Sequence, residues 1–222
     1  MKRQLSSTTH HTSYLSIGAA GFSLIELLVV VAIITLVSAV VFANINKFGG
    51  QSRLQSLVYD IALTIRQAQV YGISVKQVAG SNFDTGFGVS FNLANPALYR
   101  LFNDINENGK YDAGEDVSPS PYAINQNYVY SKLCATISGT EYCPYTSMNI
   151  VFIRPNPNAY FIVQGGGVGI TDSCTSVYGN VEQCSGTISQ GRIVITSPRG
   201  DCMSIIVSAN GEISVAADPA CT

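Results

Sequence analysis

One short acidic segment, NDINENGKYDAGEDV at residues 103–117, has the spacing of a calcium-binding loop. In that pattern short oxygen side chains alternate along the chain, a glycine permits a sharp turn, and a final glutamate closes on the ion with both oxygens. The predicted ligands are Asp104, Asn106, Asn108, the backbone carbonyl of Lys110, Asp112 and Glu115, with Gly109 at the turn. The flanking residues have strand patterns, so the sequence predicts an isolated structural calcium site. The alternative is an acidic turn whose charges are simply solvated.

A second chemical feature is Glu26, which lies near the start of an otherwise uncharged apolar run. Roughly 20 apolar residues cross a bilayer, so residues 22–42 just suffice, and they exceed the roughly 7–15 residues of a signal-peptide core. A carboxylate in lipid is costly and needs a cationic partner. No Lys or Arg lies within twenty residues downstream of Glu26.

Cleavage of the chain would create the missing cation. A cut between Gly21 and Phe22 gives a new α-amine four residues before Glu26. In a bundle of identical helices, the amine of one subunit would neutralise Glu26 of its neighbour. A slip of one turn would leave a charge unpaired in hydrocarbon, so this pair would fix the axial register. We therefore interpret Glu26 as an assembly residue.

The segment GFSLIELLVVVAIITLV, which starts at Gly21, resembles the N-terminal signature of type IV pilins and type II secretion pseudopilins. The shared pattern is Gly, an aromatic residue, a short polar residue, two aliphatic residues and Glu. The resemblance implies that a prepilin peptidase cuts after Gly21 and methylates the amine of Phe22, and that Glu26 is the family glutamate. The basic residues of the leader, Lys2 and Arg3, lie far from the cut, where the family often places one just before the Gly.

The domain organisation follows from these patterns. We predict a prepilin leader at 1–21, a transmembrane and filament-core helix at 22–48, an amphipathic helix at 51–72 and a β-rich head at 73–222. Gly49-Gly50 is expected to break or kink the helix, because glycine is a poor helix residue. The predicted fold class is α+β, with a long N-terminal α-helix packed on an antiparallel β-sheet head.

Apolar periodicity predicts the elements of the head. A stripe at helical spacing consists of Leu54, Leu57, Val58, Ile61, Ile65 and Ala68. Candidate strands are Ile73–Val78, Phe87–Asn92, Leu98–Phe102, Tyr128–Leu133, Asn149–Ile153, Tyr160–Val163, Arg192–Thr196, Met203–Ser208 and Glu212–Val215. Asn210-Gly211 predicts a two-residue hairpin turn between the last two. A stripe followed by short strands also resembles, at the level of pattern alone, the H-type minor pseudopilins and related minor pilins.

All six cysteines lie in the last ninety residues, behind the apolar segment. An even number in an exported region indicates disulfides, although free buried thiols are the alternative. Proximity in sequence favours Cys134–Cys143, Cys174–Cys184 and Cys202–Cys221 among fifteen possible connectivities.

Composition argues against an enzyme and against a nucleic-acid-binding protein. The only two histidines, His10 and His11, precede the predicted cut, so the mature chain lacks the commonest general base and metal ligand. The chain has 12 Lys and Arg against 14 Asp and Glu, without a basic cluster for phosphate contacts.

We therefore expect a structural subunit of a type IV pilus or a type II secretion pseudopilus, and the sequence leaves that choice open. The expected partners are prepilin peptidase, other pilin or pseudopilin subunits and the membrane, with calcium as a structural cofactor. The chain would cross the cytoplasmic (inner) membrane once, with its head outside the cytoplasm, and then enter an extracellular or periplasmic filament. The alternative is a membrane-anchored, calcium-dependent surface adhesion or binding protein that stays monomeric.

Overall fold

The computed structural model of the chain describes residues 21–74, 85–124, 127–165 and 188–218, without the side chains of residues 43–49. The strand predicted at 73–78 lies largely outside these ranges, and so do the loops that contain Cys174 and Cys184. The chain divides into two compact units, the first ending at Asn46 and the second beginning at Lys47.

A single α-helix, α1, spans Leu24–Ile73 and contains both predicted helical segments. The backbone N–H of Leu27 donates to the carbonyl of Ser23 at 3.1 Å, which closes the first turn. Gly49 and Gly50 are helical, so the predicted break at this pair is wrong. Ile73, which was predicted to begin a strand, is the last residue of the helix.

The described residues of the head form ten strands in two antiparallel sheets. Their bounds are β1 Gly86–Asn92, β2 Leu98–Asp104, β3 Tyr122–Ala123, β4 Val129–Ile137, β5 Thr140–Tyr145, β6 Ser147–Phe152, β7 Ala159–Gln164, β8 Ile188–Thr196, β9 Cys202–Ser208 and β10 Ile213–Ala217. The first sheet, called sheet A, has the strand order β3-β2-β1-β6-β7. Sheet B has the order β10-β9-β8-β4-β5. The predicted α+β class is confirmed.

One apolar core joins the second half of α1 to both sheets. Five of the six stripe residues are at most 1% exposed, and Leu57 packs against them partly buried. The alternating residues Phe87, Val89 and Phe91 of β1 lie in this core, as the pattern predicted. Glycine allows close packing where the helix ends, because a β-carbon at Gly72 would collide with the carbonyl oxygen of Phe152.

Two polar side chains hold the layers together inside the head. The hydroxyl of Tyr130 on β4 accepts the backbone N–H of Asn92 at 2.9 Å. It also lies 2.7–2.9 Å from the carbonyl oxygens of Asn92, Asn95 and Leu98, to which it can donate. The side chain of Gln69 on α1 donates to the carbonyls of Pro157 and Gly211, both at 2.9 Å. The helix and both sheets are therefore connected by hydrogen bonds as well as by the core.

The turns of sheet B differ in one respect from the prediction. The hairpin around Asn210-Gly211 is present, but four residues rather than two separate β9 from β10. Gly211 has a φ of 86°, which glycine adopts without strain. A second hairpin, β4–β5, was missed, although its turn residues Ser138 and Gly139 both have positive φ, as tight hairpin turns require.

Candidate functional site

The N-terminal half of α1 has an apolar surface on every side. Phe22 is 82% exposed, and nearly all the large side chains up to Phe42 are more than 45% exposed. By length and composition Leu24–Phe42 is long and apolar enough to cross a membrane, and among the described residues no other helix meets this test. A helix that is apolar all round requires lipid or other helices as its surroundings. Among the described residues of its own unit, the predicted spanning segment therefore has no covering surface.

Glu26 lies in the first turn of α1. Its spacing from Ser23 is that of a capping box, in which each side chain bonds the backbone of the other residue. Neither of these bonds is present, and among the side chains described within residues 21–74 none pairs with Glu26. Local helix capping therefore does not account for this carboxylate.

The predicted calcium loop is folded around its two buried carboxylates. Asp104 is 0% exposed, and its oxygens accept the backbone N–H groups of Asn108 at 3.0 Å and Gly109 at 2.7 Å. Glu115 is 6% exposed, and its two oxygens accept the N–H groups of Ile105 and Asp112, both at 2.9 Å. The structure thus brings the first and last predicted ligands to the base of one loop.

The remaining predicted side-chain ligands meet at the exposed end of the loop. One oxygen of Asp112 accepts the side-chain amides of Asn106 at 2.8 Å and Asn108 at 2.7 Å. These two hydrogen bonds lower the pKa of Asp112, because they stabilise its ionised form. The backbone N–H of Lys110 donates to the side-chain oxygen of Asn108 at 2.6 Å.

The oxygen donors of the acidic loop fit a bound cation only in part. Among the described residues, the one trio of Cys, Asp, Glu or His ligand atoms that all lie within 4.8 Å of one another is Cys134, Glu141 and Cys143. The loop's carboxylates do not form such a trio, so amide and carbonyl oxygens would complete its site. The side-chain amides of Asn106 and Asn108 now present their NH₂ groups to Asp112. To bind a cation, each amide would have to rotate by half a turn so that its oxygen replaces its NH₂ group, which leaves the shape of the group unchanged.

The trio around Glu141 is not a metal site, because Cys134 and Cys143 form a disulfide. This bond joins β4 to β5 and confirms the first predicted pairing. Cys202 is also disulfide-bonded. Its predicted partner Cys221, like the predicted pair Cys174–Cys184, lies outside the described residues.

A charged cluster beside this disulfide was not predicted. Arg192 donates to both oxygens of Glu141, at 2.5 and 2.7 Å, and to Asp218 at 2.6 Å. The pKa of Arg192 is raised, mainly because its hydrogen bonds to Glu141 stabilise the charged guanidinium group. The three residues lie far apart in sequence and on different strands or loops, so nothing in the local pattern predicts their contact.

A second unpredicted cluster supports the acidic loop. Asp116 accepts hydrogen bonds from Tyr111 at 2.7 Å, Ser120 at 2.8 Å and Arg100 at 3.1 Å. Burial opposes ionisation of Asp116, but these bonds outweigh it, and its pKa is lowered. The ring of Tyr111 also packs edge-on against Phe102, with 5.9 Å between the ring centres. The loop is therefore fastened to sheet A.

Taken together, these features define the class as a protein with an exposed apolar N-terminal helix and an α+β head. Residues 18–42 match the family model described as the prokaryotic N-terminal methylation motif. The chain thus carries the type IV pilin and pseudopilin signature, at the place where the resemblance predicted it. The match covers the N-terminal segment and none of the head. No curated protein and no solved structure matched the chain.

Proposed function

We propose that this protein is a structural subunit of a type IV pilus or a type II secretion pseudopilus, assembled through the first half of α1. The observation that carries the proposal is the methylation motif on a helix whose apolar surface is exposed on all sides. A membrane would cover that surface first, and the helices of neighbouring subunits would replace the lipid in the filament.

Glu26 would set the register in that assembly. Cleavage after Gly21 leaves the α-amine of Phe22 at the start of α1, and Glu26 follows in the first helical turn. No side chain described within residues 21–74 neutralises this carboxylate, so a partner from another subunit would account for it. The same pairing would disfavour every other axial offset between two helices.

Processing is tested by the intact mass of the full chain co-expressed with a prepilin peptidase. We expect the loss of residues 1–21 and the addition of one methyl group. A Gly21→Leu variant should stay uncut, because a bulky side chain would replace the glycine before the cut. An uncut wild-type chain, or a cut beyond Ala43, would overturn the proposal.

Assembly is tested by a charge-removing substitution that keeps the shape of the side chain. We expect Glu26→Gln to be cleaved normally and to enter sheared filaments at least tenfold less than the wild type. Glu212→Gln is the matched control, since it makes the same change on an exposed loop of the head. Equal incorporation of the two variants would instead favour the monomeric, membrane-anchored adhesion protein.

We also propose that the loop 104–115 holds one structural calcium ion. Asp104, Asn106, Asn108, Asp112 and Glu115 would supply side-chain oxygens and Lys110 its backbone carbonyl. The support is that the structure gathers these groups on a single loop whose first and last carboxylates are buried. The ion would tie the exposed end of the loop to its buried base.

Calcium binding is tested by thermal unfolding of the full chain in detergent, with and without calcium. An ion at a hundred times its Kd stabilises a fold by about 2.7 kcal/mol, which raises Tm by about 5–10 °C in a head of this size. Asp112→Asn should abolish most of the shift. Glu107→Gln, which lies in the same loop but is no predicted ligand, should keep it. The absence of a shift in the wild type at millimolar calcium would refute the site.

A further inference from the structure

The outer face of sheet A, on the side away from the core, carries a polar cavity of about 420 Å³. Its volume falls within the roughly 300–1,000 Å³ of small-molecule sites. Its walls are unusual for such a site, because they consist largely of amides and hydroxyls rather than of apolar side chains. The lining includes Ser90, Arg100, Tyr111, Ser147, Asn149 and Gln164.

Strand register brings these side chains together. Ser90 on β1 lies opposite Arg100 on β2 and opposite Asn149 on β6. Ser147 on β6 lies opposite Gln164 on β7. Side chains alternate between the two faces of a strand, and the neighbours of these residues fill the core, so the polar ones share the outer face. Four strands thus contribute to one surface.

The cavity contains hydrogen-bonding groups that the protein itself does not use. Asn149 is only 4% exposed; its oxygen accepts the N–H of Tyr111 at 3.4 Å, while its NH₂ group has no partner among the described residues. Gln164 accepts from the hydroxyl of Ser147 at 3.1 Å and also keeps its NH₂ group unused within that part of the chain. Neither NH₂ group is among the fully buried side-chain atoms that lack a partner, so both are open to a ligand or water in the cavity.

The charges around the cavity are balanced. Arg100 is paired with Asp116 at 3.1 Å and donates to the hydroxyl of Tyr111 at 3.2 Å. Lys110 and Asp112 add one charge of each sign to the wall. An anionic ligand would have to compete with Asp116 for the guanidinium group, so the cavity favours a neutral ligand with many hydroxyl groups.

We propose that this cavity binds a neutral saccharide. Each sugar hydroxyl both donates and accepts a hydrogen bond, which matches a wall of amides and hydroxyls. A bound peptide is less suitable, because the cavity lies on the face of sheet A rather than at a free edge where strand addition occurs, and it lacks apolar pockets for side chains. The site belongs to the head alone and does not rest on the proposed filament function.

The first experiment is a titration of the full chain with methyl glycosides of glucose, galactose, mannose and N-acetylglucosamine. Calorimetry would be done in lauryldimethylamine oxide, since detergents with sugar head groups would compete for the cavity. Inorganic phosphate and a neutral tripeptide serve as the anionic and peptide probes. We expect saturable binding of at least one glycoside and none of phosphate or tripeptide.

Two substitutions locate the site. Gln164→Glu and Asn149→Asp each keep the oxygen that accepts a bond within the protein and replace the unused NH₂ group by an oxygen. We expect each to weaken glycoside binding at least tenfold. Asn210→Asp makes the same change on an exposed turn outside the cavity and should bind as the wild type does. Gln164 is less buried than Asn149, so its variant remains informative if the other fails to fold.

The possible results separate clearly. Tenfold weaker binding by the cavity variants, together with normal binding by Asn210→Asp, supports the saccharide site. No binding of any glycoside at 20 mM, a concentration chosen on the order of ten times a weak Kd of about 1–2 mM, would overturn it. Binding that the cavity substitutions leave unchanged would place the sugar elsewhere and would also overturn it. Preferential binding of phosphate or tripeptide would refute the ligand class.

Discussion

The two halves of α1 have the same secondary structure but opposite surroundings. In residues 22–42 almost every large apolar side chain is exposed, whereas the stripe from Leu54 to Ala68 is almost fully buried under two sheets. The single acid of the first half has no partner among the side chains described in residues 21–74, while the buried charges of the head have theirs within the fold. In the part of the chain that the structure describes, the second half of α1 is thus covered by the head, whereas the first half exposes its apolar surface.

The largest expected effect comes from shortening one isoleucine in each half. Ile65 is 0% exposed, so Ile65→Ala should lower the free energy of unfolding of the head by about 2–5 kcal/mol, through lost burial and the cavity that remains. Ile34 is 58% exposed, so Ile34→Ala should leave the head unchanged. Scanning calorimetry in detergent micelles measures both. Similar losses in the two variants would contradict the independence of the head.

A smaller effect is expected from removing the central cation of the sheet B cluster. Arg192→Gln leaves Glu141 and the buried Asp218 without their cation and should cost about 1–3 kcal/mol. Lys132→Gln, on an exposed position of β4, is the matched control and should cost little. Glu26→Gln should not change head stability at all. Denaturant unfolding followed by tyrosine fluorescence tests all three, and a stable Arg192→Gln head would show that the cluster is dispensable.

The smallest expected effect is on the stability of the head at low pH. The pKa of Asp116 is lower in the folded head than in the unfolded chain, where it is about 3.9. Its contribution to stability is therefore complete above about pH 5 and is lost as the pH falls through the folded pKa. Asp116→Asn should flatten the decline in stability between about pH 5 and pH 3. Ser120→Ala, which removes one of its hydrogen bonds, should flatten it less. An unchanged pH slope in both variants would argue against this account.

Sequence reasoning succeeded where neighbouring residues carry the signal. Helical periodicity identified the buried stripe of α1, and alternation identified most strands to within a few residues of their ends. The methylation motif is likewise contiguous. The predicted break at Gly49-Gly50 was wrong because the low helix propensity of two glycines, on the order of 1 kcal/mol each, did not interrupt a helix of fifty residues.

Features that depend on register or on distant contacts were not predicted. β5 escaped notice because five of its six residues are exposed and it shows no alternation. The polar cavity is built by residues of four strands, and the alignment of Ser90 with Asn149 cannot be read from either segment. In the same way Arg192 meets Asp218 only after sheet B has formed. The acidic loop was found because its residues are adjacent, although the contact between Tyr111 and Asn149 was not.

The attachment of the second half of α1 to the head also has a mechanical consequence. The stripe residues of α1 contact the core over several successive turns. A force along the helix axis would therefore act on all of these contacts together rather than on one after another. The bonds from Gln69 to Pro157 and Gly211 resist the same displacement. At Gly72 the helix backbone packs so closely against Phe152 that a β-carbon would collide with its carbonyl oxygen. Tension on the helix would therefore be resisted by contacts with both sheets at the same time.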